Sequence, residues 1–491
     1  MPPLKATKKP PSQFGLGYWM ERTLEECDRA EKDFAADPVH DLRVALRRCR
    51  SMADGMMAID ADPGWKQMKK AGKRLFGSLG ELRDAQVMEG WVVRVGTPDD
   101  PVARTLLQFL GDRETQLKLV AAEALQAFDR KQWKRWCASL PRRAARIRPG
   151  SLIFKHLALE RWMEGRELHS AALRSRSQLA LHRLRIGLKR FRYIVENFLP
   201  EQHEKWIADL KELQDVLGEV HDLDVLWATA LQINAFPDAD ARTRWHKRIV
   251  EERAQRIDRY RNKAVGRTSL WQVWRAELPQ GEQIESAALS RLKLWASFLD
   301  PDFKHSLHIA RLATQLYDRL PVPKMQNNGS VREQRAILQV AAWMHDVGRS
   351  KKEKNHHKAS FRLAGKLSAP LGWSAQDLRM AGVVARYHRG ALPRAGQKTL
   401  AGLSGEERRV VSRLAGILRL ANAFDADRQG RMRRLEVHES NGTVVVGAQG
   451  YSARDRLAET IAGARHLLET VYRRPILVKP LTARNRGTAR R

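Results

Sequence analysis

Cysteine is scarce in this chain. Cys27, Cys49 and Cys137 are the only three in 491 residues, and no two lie at a metal-binding or redox spacing. That scarcity excludes a disulfide framework and a cysteine-built zinc site, and it implies a reducing, cytoplasmic setting. No uninterrupted apolar run approaches the roughly 20 residues that cross a bilayer, so no membrane span is expected. The first residues, MPPLKATKKPPSQ, carry charge without an apolar segment, and no signal peptide is expected there. The pattern G-x-x-x-x-G-K-[ST] is missing, and with it a P-loop nucleotide site. Acidic residues are in short supply: 56 Asp and Glu face 89 Lys and Arg, for a formal net charge of +33. Such an excess points to a polyanionic partner, whether nucleic acid, anionic membrane or polyphosphate, without choosing among them.

What is present is a globular composition, 43% hydrophobic and 30% charged, in a chain long enough for two to four domains. Its organising feature is a repeated basic stretch. VHDLRVALRRCR, Val39 to Arg50, aligns with LHRLRIGLKRFR, Leu181 to Arg192, so that His40 falls on His182, Arg43 on Arg185, Arg47 on Lys189, Arg48 on Arg190 and Arg50 on Arg192. On a helix His40, Arg43, Arg47 and Arg50 share a stripe about 80° wide, while Leu42, Ala45, Leu46 and Cys49 gather opposite. One basic stripe alone is usually a solvated helix face, but a solvated face has no need to keep the same cations at the same phase twice. A second pair of segments repeats as well: LGELRDAQVM, Leu79 to Met88, matches LGEVHDLDVL, Leu217 to Leu226, pairing Gly80 with Gly218 and Asp84 with Asp222.

These paired motifs resemble the CHAD domain, the conserved-histidine α-helical domain whose two similar bundles enclose a basic cavity. The resemblance implies that the basic side chains bind inorganic polyphosphate or a similar polyanion. By position, the residues it points to are His40, Arg43, Arg47, Arg50, His182, Arg185, Lys189 and Arg192, together with Arg48, Arg190 and Lys73. Asp41 follows His40 whereas Arg183 follows His182, so the two halves are expected to bind differently.

Past residue 276 the chemistry-bearing residues change from Arg to His and Asp. His305 lies in an amphipathic helix, His345-Asp346 closes the apolar helix ILQVAAWMHDVG, His357 sits in NHHKAS, His388 in VVARYHRG and Asp425 in ILRLANAFD. Imidazole and carboxylate are the donors a hydrolytic divalent metal takes, and such a metal supplies an activated water and neutralises charge on a phosphoryl group. A lone helix histidine is more often a packing residue; the ordered series is what carries weight. That series resembles the HD superfamily of metal-dependent phosphohydrolases, and HDVGR, HHKAS, RYHRG and LRLANAFD resemble the C-terminal helical domain of the exopolyphosphatase/guanosine pentaphosphate phosphatase family. The resemblance implies metal ligands His305, His345, Asp346 and Asp425, with His357 and His388 at a second metal. The metal would be Mn, Mg or Fe, with Lys358 or Arg389 stabilising developing charge beside the catalytic Asp346. That family's phosphatase chemistry belongs to an N-terminal actin-like domain that this chain lacks, so the HD-like region is either itself the catalyst or a binding and regulatory remnant.

The expected fold is mainly α. A basic tail at 1–13, likened to a disordered tether, leads into a CHAD-like domain at 14–275 with repeats at about 14–140 and 151–275. A linker at 276–290 joins an HD-like domain at 291–480, with a small β-hairpin around Asn441-Gly442 followed by a helix through Leu468, and a basic tail at 481–491. Helices are expected from Gly15 to Asp33 and from Trp65 to Leu79, and PRRAARIRPG, 141–150, marks the seam between repeats. The functional expectation is polyphosphate binding coupled to a metal-dependent phosphohydrolase, in the cytoplasm and associated with polyphosphate granules. The alternatives are a noncatalytic polyphosphate-binding or targeting protein and, with less support because no nucleic-acid fold is visible, a nucleic-acid binder.

Overall fold

The computed structural model describes residues 15–481 apart from 33, 98, 176, 322–330 and 455. The expected basic tail at 1–13 and, apart from Leu481, the one at 481–491 lie outside the described residues. The chain forms two compact units with the boundary between Gln283 and Ile284. Among the described residues the first unit is entirely helical, and the second adds one small sheet.

In the first unit the helices are α1 (Leu16–Ala30), α2 (Ala36–Met57), α3 (Pro63–Ala71), α4 (Lys73–Val95), α5 (Pro101–Gln126), α6 (Arg130–Ala144), α7 (Leu152–Ser175), α8 (Gln178–Phe198), α9 (Pro200–Gln232), α10 (Ala239–Ala264) and α11 (Leu270–Ala276). Their starts are written in the sequence. Asp62, Asp100, Asp129, Ser177 and Asp238 each accept a backbone N–H in the first turn, and Pro63 and Pro101 occupy first positions where no N–H is needed. Asp37-Pro38 therefore does not precede the basic helix, as expected from its breaking character, but lies in the first turn of α2. The helix expected over Trp65 to Leu79 is two, divided at Gly72, so the LGE motif sits within α4. Pro141 likewise falls inside α6, and the seam shortens to the residues after Ala144.

The sequence repeat becomes a repeat of packing. α1 lies on α2 as α7 lies on α8, α2 on α4 as α8 on α9, and α4 on α5 as α9 on α10. The halves then join through like elements, α2 against α8 and α4 against α9. Leu42, Ala45, Leu46 and Cys49 of α2 are fully buried, as are Leu184, Leu188 and Phe191 of α8, so the apolar faces expected from the helical phase are the ones that pack. The α2–α8 crossing is close because Gly55 has no side chain: a Cβ there would stand 2.5 Å from the Phe198 ring.

The second unit contains α12 (Glu282–Leu299), α13 (Phe303–Arg319), α14 (Val331–Met344), α15 (His356–Ala364), α16 (Ala375–Arg386), α17 (Gly405–Ala423), strands β1 (Leu435–Ser440) and β2 (Thr443–Ala448), α18 (Leu457–Ala464), α19 (His466–Tyr472) and β3 (Ile476–Pro480). Glu282 already begins α12, so the non-helical stretch between helices is only 277–281, shorter than the linker expected at 276–290. Asn441 and Gly442 both take positive φ, 47° and 74°, and turn β1 back along β2 as a hairpin. The helix expected through Leu468 is broken between α18 and α19, and β3 adds a parallel strand on β2 that alternation alone did not reveal. α13, α14, α16 and α17 share one apolar core with residues from the strands.

Candidate functional sites

In the first unit the repeated cations do not all face one place. Arg48 is a packing residue: it forms an ion pair with Glu196, donates to Asn197 Oδ1 at 3.2 Å and lies 5.0 Å from the Trp19 ring centre. Arg192 lies 3.9 Å from the same Glu196 carboxylate. Arg50 donates to the Lys69 carbonyl and covers the Phe76 ring, and Arg190 pairs with Glu164 on α7. Lys73 and His40 are exposed.

What remains is a cluster of Arg47, Arg185 and Lys189 with Arg43, which itself donates to the Phe76 carbonyl at 3.2 Å and lies 4.9 Å from that ring centre, all four half-buried. Among the described residues none of the four has a carboxylate within ion-pair distance, and the buried Nε atoms of Arg47 and Arg185 have no hydrogen-bond partner. Burial, Arg185 and Arg47 together push Lys189 down to about 8, with Arg43 adding to the effect. Cations from α2 and α8 therefore repel one another across the joint between the halves. The repeated LGE glycine makes room for this arrangement: a Cβ on Gly80 would stand 2.7 Å from Arg43 Nη1.

Arg185 and Lys189 also line a cavity of about 410 Å³ with Arg94, Trp91, Asp215, Glu219 and Asp222. Burial raises Asp222 to about 6, with Asp84 adding to the effect and Arg185 opposing it. The second repeat thus tempers its cations with carboxylates. His182 packs against His221 at 4.7 Å between ring centres, whereas His40 has Arg83, Arg47, Asp41 and Arg43 as charged neighbours, so the two histidines have different surroundings.

These values set a pH dependence. Lys189 is charged below about 8, and Asp222 loses its negative charge below about 6. Both changes favour an anionic ligand as pH falls. Affinity for an anion held beside Lys189 is expected to drop about tenfold between pH 7 and 9 as Lys189 deprotonates, and to rise again below pH 6. Titrations across that range check this, and Lys189→Arg should flatten the alkaline limb.

In the second unit five helix ends converge. His305 lies in the first turn of α13, His345 and Asp346 follow α14, His356 opens α15, His388 follows α16, and Asn422 and Asp425 close α17. His345, His356 and His388 each direct Nδ1 to the backbone carbonyl three residues earlier, at 2.7, 3.0 and 2.8 Å. That bond fixes the tautomer and leaves each Nε2 as a lone-pair donor. The three Nε2 atoms surround Asp346 Oδ1 at 3.5, 3.1 and 3.9 Å respectively.

His356 and His388 bring their Nε2 atoms 3.2 Å apart, and the buried Nε2 of His345 has no hydrogen-bond partner. Lone pairs so disposed fit a cation. Two groups here have metal-ligand spacing: His305, His345 and Asp346, and Asp346, His356 and His388. Burial depresses the pKa of both His345 and His388, favouring the neutral form a metal ligand needs. Burial works against ionisation of Asp346, but the surrounding imidazoles, His345 foremost, and the Arg428 guanidinium outweigh it and hold the carboxyl below the ordinary range.

His305 Nδ1 lies 2.7 Å from Asp425 Oδ2 and its Nε2 lies 3.2 Å from Asn422 Oδ1. His357 belongs to neither metal-spaced group. It turns toward Gly390, about 100° from His356 in helical phase, and burial pushes it down to about 4. The residue of the HH pair that reaches Asp346 is therefore His356. Lys358 is exposed and stays out of the cavity over the cluster, because α15 directs it to the solvent side.

That cavity, of about 500 Å³, is lined by Arg349, Arg389, Arg419 and Arg428 as well as the cluster itself. Of these the sequence had singled out only Arg389. Arg419 donates to the carbonyls of Tyr387 and Gly390, 3.0 Å each, bracing the loop that carries His388.

The turn after Asp346 depends on Gly348. A Cβ there would lie 2.2 Å from the His356 carbonyl oxygen and 2.5 Å from the Ser360 nitrogen. Ser360 Oγ donates to the His345 carbonyl and accepts from Gly348 N–H, tying α15 to the ligand turn. Gly348→Ala must push these backbones apart. It is expected to cost about 2–3 kcal/mol and to separate His356 from Asp346, which a melting curve and a metal titration would each register.

Comparison with known proteins adds two matches. Residues 20–231 match the CHAD domain model, and residues 291–458 match that of the Ppx/GppA phosphatase, domain III. No curated protein matches the chain. Among solved structures, the chain is similar to the CHAD domain from the plant Ricinus communis, at 20% identity and a TM-score of 0.38, over 53% of this chain and 88% of that one. No helix among the described residues is long and apolar enough to cross a membrane. The chain thus has a region that matches the CHAD domain over residues 20–231, followed by a region that matches domain III of the Ppx/GppA phosphatases over residues 291–458.

Proposed function

We propose that the first unit binds inorganic polyphosphate, or a closely similar polyanion, and that the second is a divalent-metal-dependent phosphohydrolase acting on a phosphoanhydride or phosphoester. The observation that carries the reading is the cluster of Arg43, Arg47, Arg185 and Lys189, cations brought together at the joint of two repeats with no carboxylate within ion-pair distance among the described residues and only partly offset by Asp84 and Asp222. Partly burying like charges is unfavourable unless an anion compensates them. Cations converging in a half-buried cluster suit a slender, flexible polyanion better than a rigid duplex, which is read by exposed side chains along a groove. Both domain matches are consistent with polyphosphate-related function.

For the second unit, the support is the set of imidazole nitrogens turned toward Asp346, and the arginines around them would hold a phosphoryl group. Nitrogen donors of this kind suit Mn or Fe better than Mg, which prefers oxygen. A cytoplasmic location at polyphosphate granules is the setting this reading implies. A second reading, a noncatalytic polyphosphate-binding protein, is favoured by the two arginines, Arg349 and Arg428, that already neutralise Asp346.

The test is competition between polyphosphate and duplex DNA of matched charge at several times physiological ionic strength. Polyphosphate binding should persist while DNA binding is lost. Equal loss of both would make the cluster a nonspecific anion surface.

A further inference from the structure

The two oxygens of Asp346 face different partners. Oδ1 looks at the nitrogens of His345, His356 and His388, whereas Oδ2 receives Arg428 Nη2 and lies 3.4 Å from Arg349 Nη1. Arg428 is anchored from outside the cluster, since its Nη1 donates to Asp302 Oδ2 at 2.6 Å. Its backbone adopts a left-handed conformation, φ 58°, in the turn that follows Asp425. Asp302 is in turn the N-cap of α13, the helix that carries His305. One guanidinium therefore links the helix of one metal-spaced group to the carboxylate shared by both.

The remaining donors show the same asymmetry. Asp425 gives Oδ2 to His305 and accepts the Gly430 N–H on Oδ1 at 2.6 Å, and His305 has partners on both ring nitrogens. By contrast the Nε2 atoms of His356 and His388 face each other, and that of His345 has no hydrogen-bond partner. A carboxylate that joins two metal ions, which lie about 3.5–4 Å apart in two-metal sites, commonly gives one oxygen to each. Here the second oxygen already serves a cation that belongs to the protein.

We infer that Arg428 stands in the second cation position, so that the site takes one divalent ion, at Asp346 Oδ1 with His356 and His388 and with His345 closing on it. This inference rests on the metal-site reading above. Arg428 acts as a positioning residue: it holds the shared carboxylate with Oδ1 inward and excludes a second ion by occupying Oδ2.

The experiment is the Mn²⁺ stoichiometry of the full chain, by elemental analysis and by a binding isotherm. Wild type is expected to bind one Mn²⁺ per chain, Arg428→Gln close to two, and Arg428→Lys, which keeps the charge, one. Two ions in wild type, or a single ion in Arg428→Gln, would overturn the inference. Should Arg428→Gln fail to fold, Asp302→Asn, which frees the guanidinium from its anchor, is expected to add a second, weaker binding phase, and a single phase there would count against it. No Mn²⁺ bound by wild type would be a different failure, removing the metal-site reading itself.

Discussion

Replacing Arg47 and Lys189 together by alanine is expected to weaken polyphosphate binding by about 100-fold or more. Each contributes a charged contact from opposite sides of the joint between the repeats, and hydrogen bonds to charged groups are worth about 1.5–3 kcal/mol apiece. The loss should also appear in the salt dependence: removing two phosphate contacts lowers the slope of log affinity against log salt by about 1.4 for a single-stranded polyanion. The fold should tolerate the change, because neither side chain has a carboxylate partner among the described residues. Relief of their mutual repulsion should leave the melting temperature unchanged or raised. Arg48→Ala would behave in the opposite way, since it abandons the buried Glu196. Unaltered binding in the double variant would show that the polyanion sits elsewhere.

Asp346→Asn is the second change with a large expected effect. Asp346 belongs to both groups with metal-ligand spacing, and its carboxylate is held by His356 and Arg428. An amide keeps the shape but removes the charge and offers only one oxygen. Divalent-metal affinity is expected to fall by at least about 100-fold, beyond the loss usual for an outer-shell partner. Any metal-dependent phosphate release should fall to background, while polyphosphate binding by the first unit stays as in wild type. Metal binding by Asp346→Asn at wild-type affinity would remove Asp346 from the site.

Much of the arrangement was legible in the chain because repetition carries more information than composition. The paired LGE segments and basic stretches indicated two like halves, and the first of the paired glycines has a visible reason in the space that Gly80 leaves for Arg43, whereas a Cβ on Gly218 would meet Arg185 only at 3.9 Å. Helical phase separated buried Leu42 and Leu46 from the cations and left Arg48 off the stripe, but it could not distinguish Arg47 from Arg50. That distinction depends on Lys69 and Phe76, which come from other helices. Gly72 divides α3 from α4 although its neighbours continue an amphipathic pattern.

In the second unit the ordered His and Asp residues could be read from the sequence, yet the choice within His356-His357 could not. Adjacent residues on a helix differ by about 100° in direction, and only the packing of α15 on the Gly348 turn decides which one reaches Asp346. Arg349, Arg419 and Arg428 escaped notice because an arginine in a chain with 89 basic residues has no distinguishing signature. The nearest signal was position: Arg428 lies three residues beyond Asp425 in the turn that the ligand helix requires. β3 was hidden for a related reason, since an edge strand pairing in parallel with β2 depends on a partner about 30 residues away.

A chain that holds a polyanion and cleaves a phosphate bond with a metal should release phosphate from polyphosphate when Mn²⁺ or Mg²⁺ is added to the purified protein. Measured beside the His345→Ala/Asp346→Ala variant, that release is expected to require the metal and to disappear in the variant. No release from wild type, with tight polyphosphate binding retained by both proteins, would contradict that expectation and leave a binding protein whose second unit does not hydrolyse that polymer.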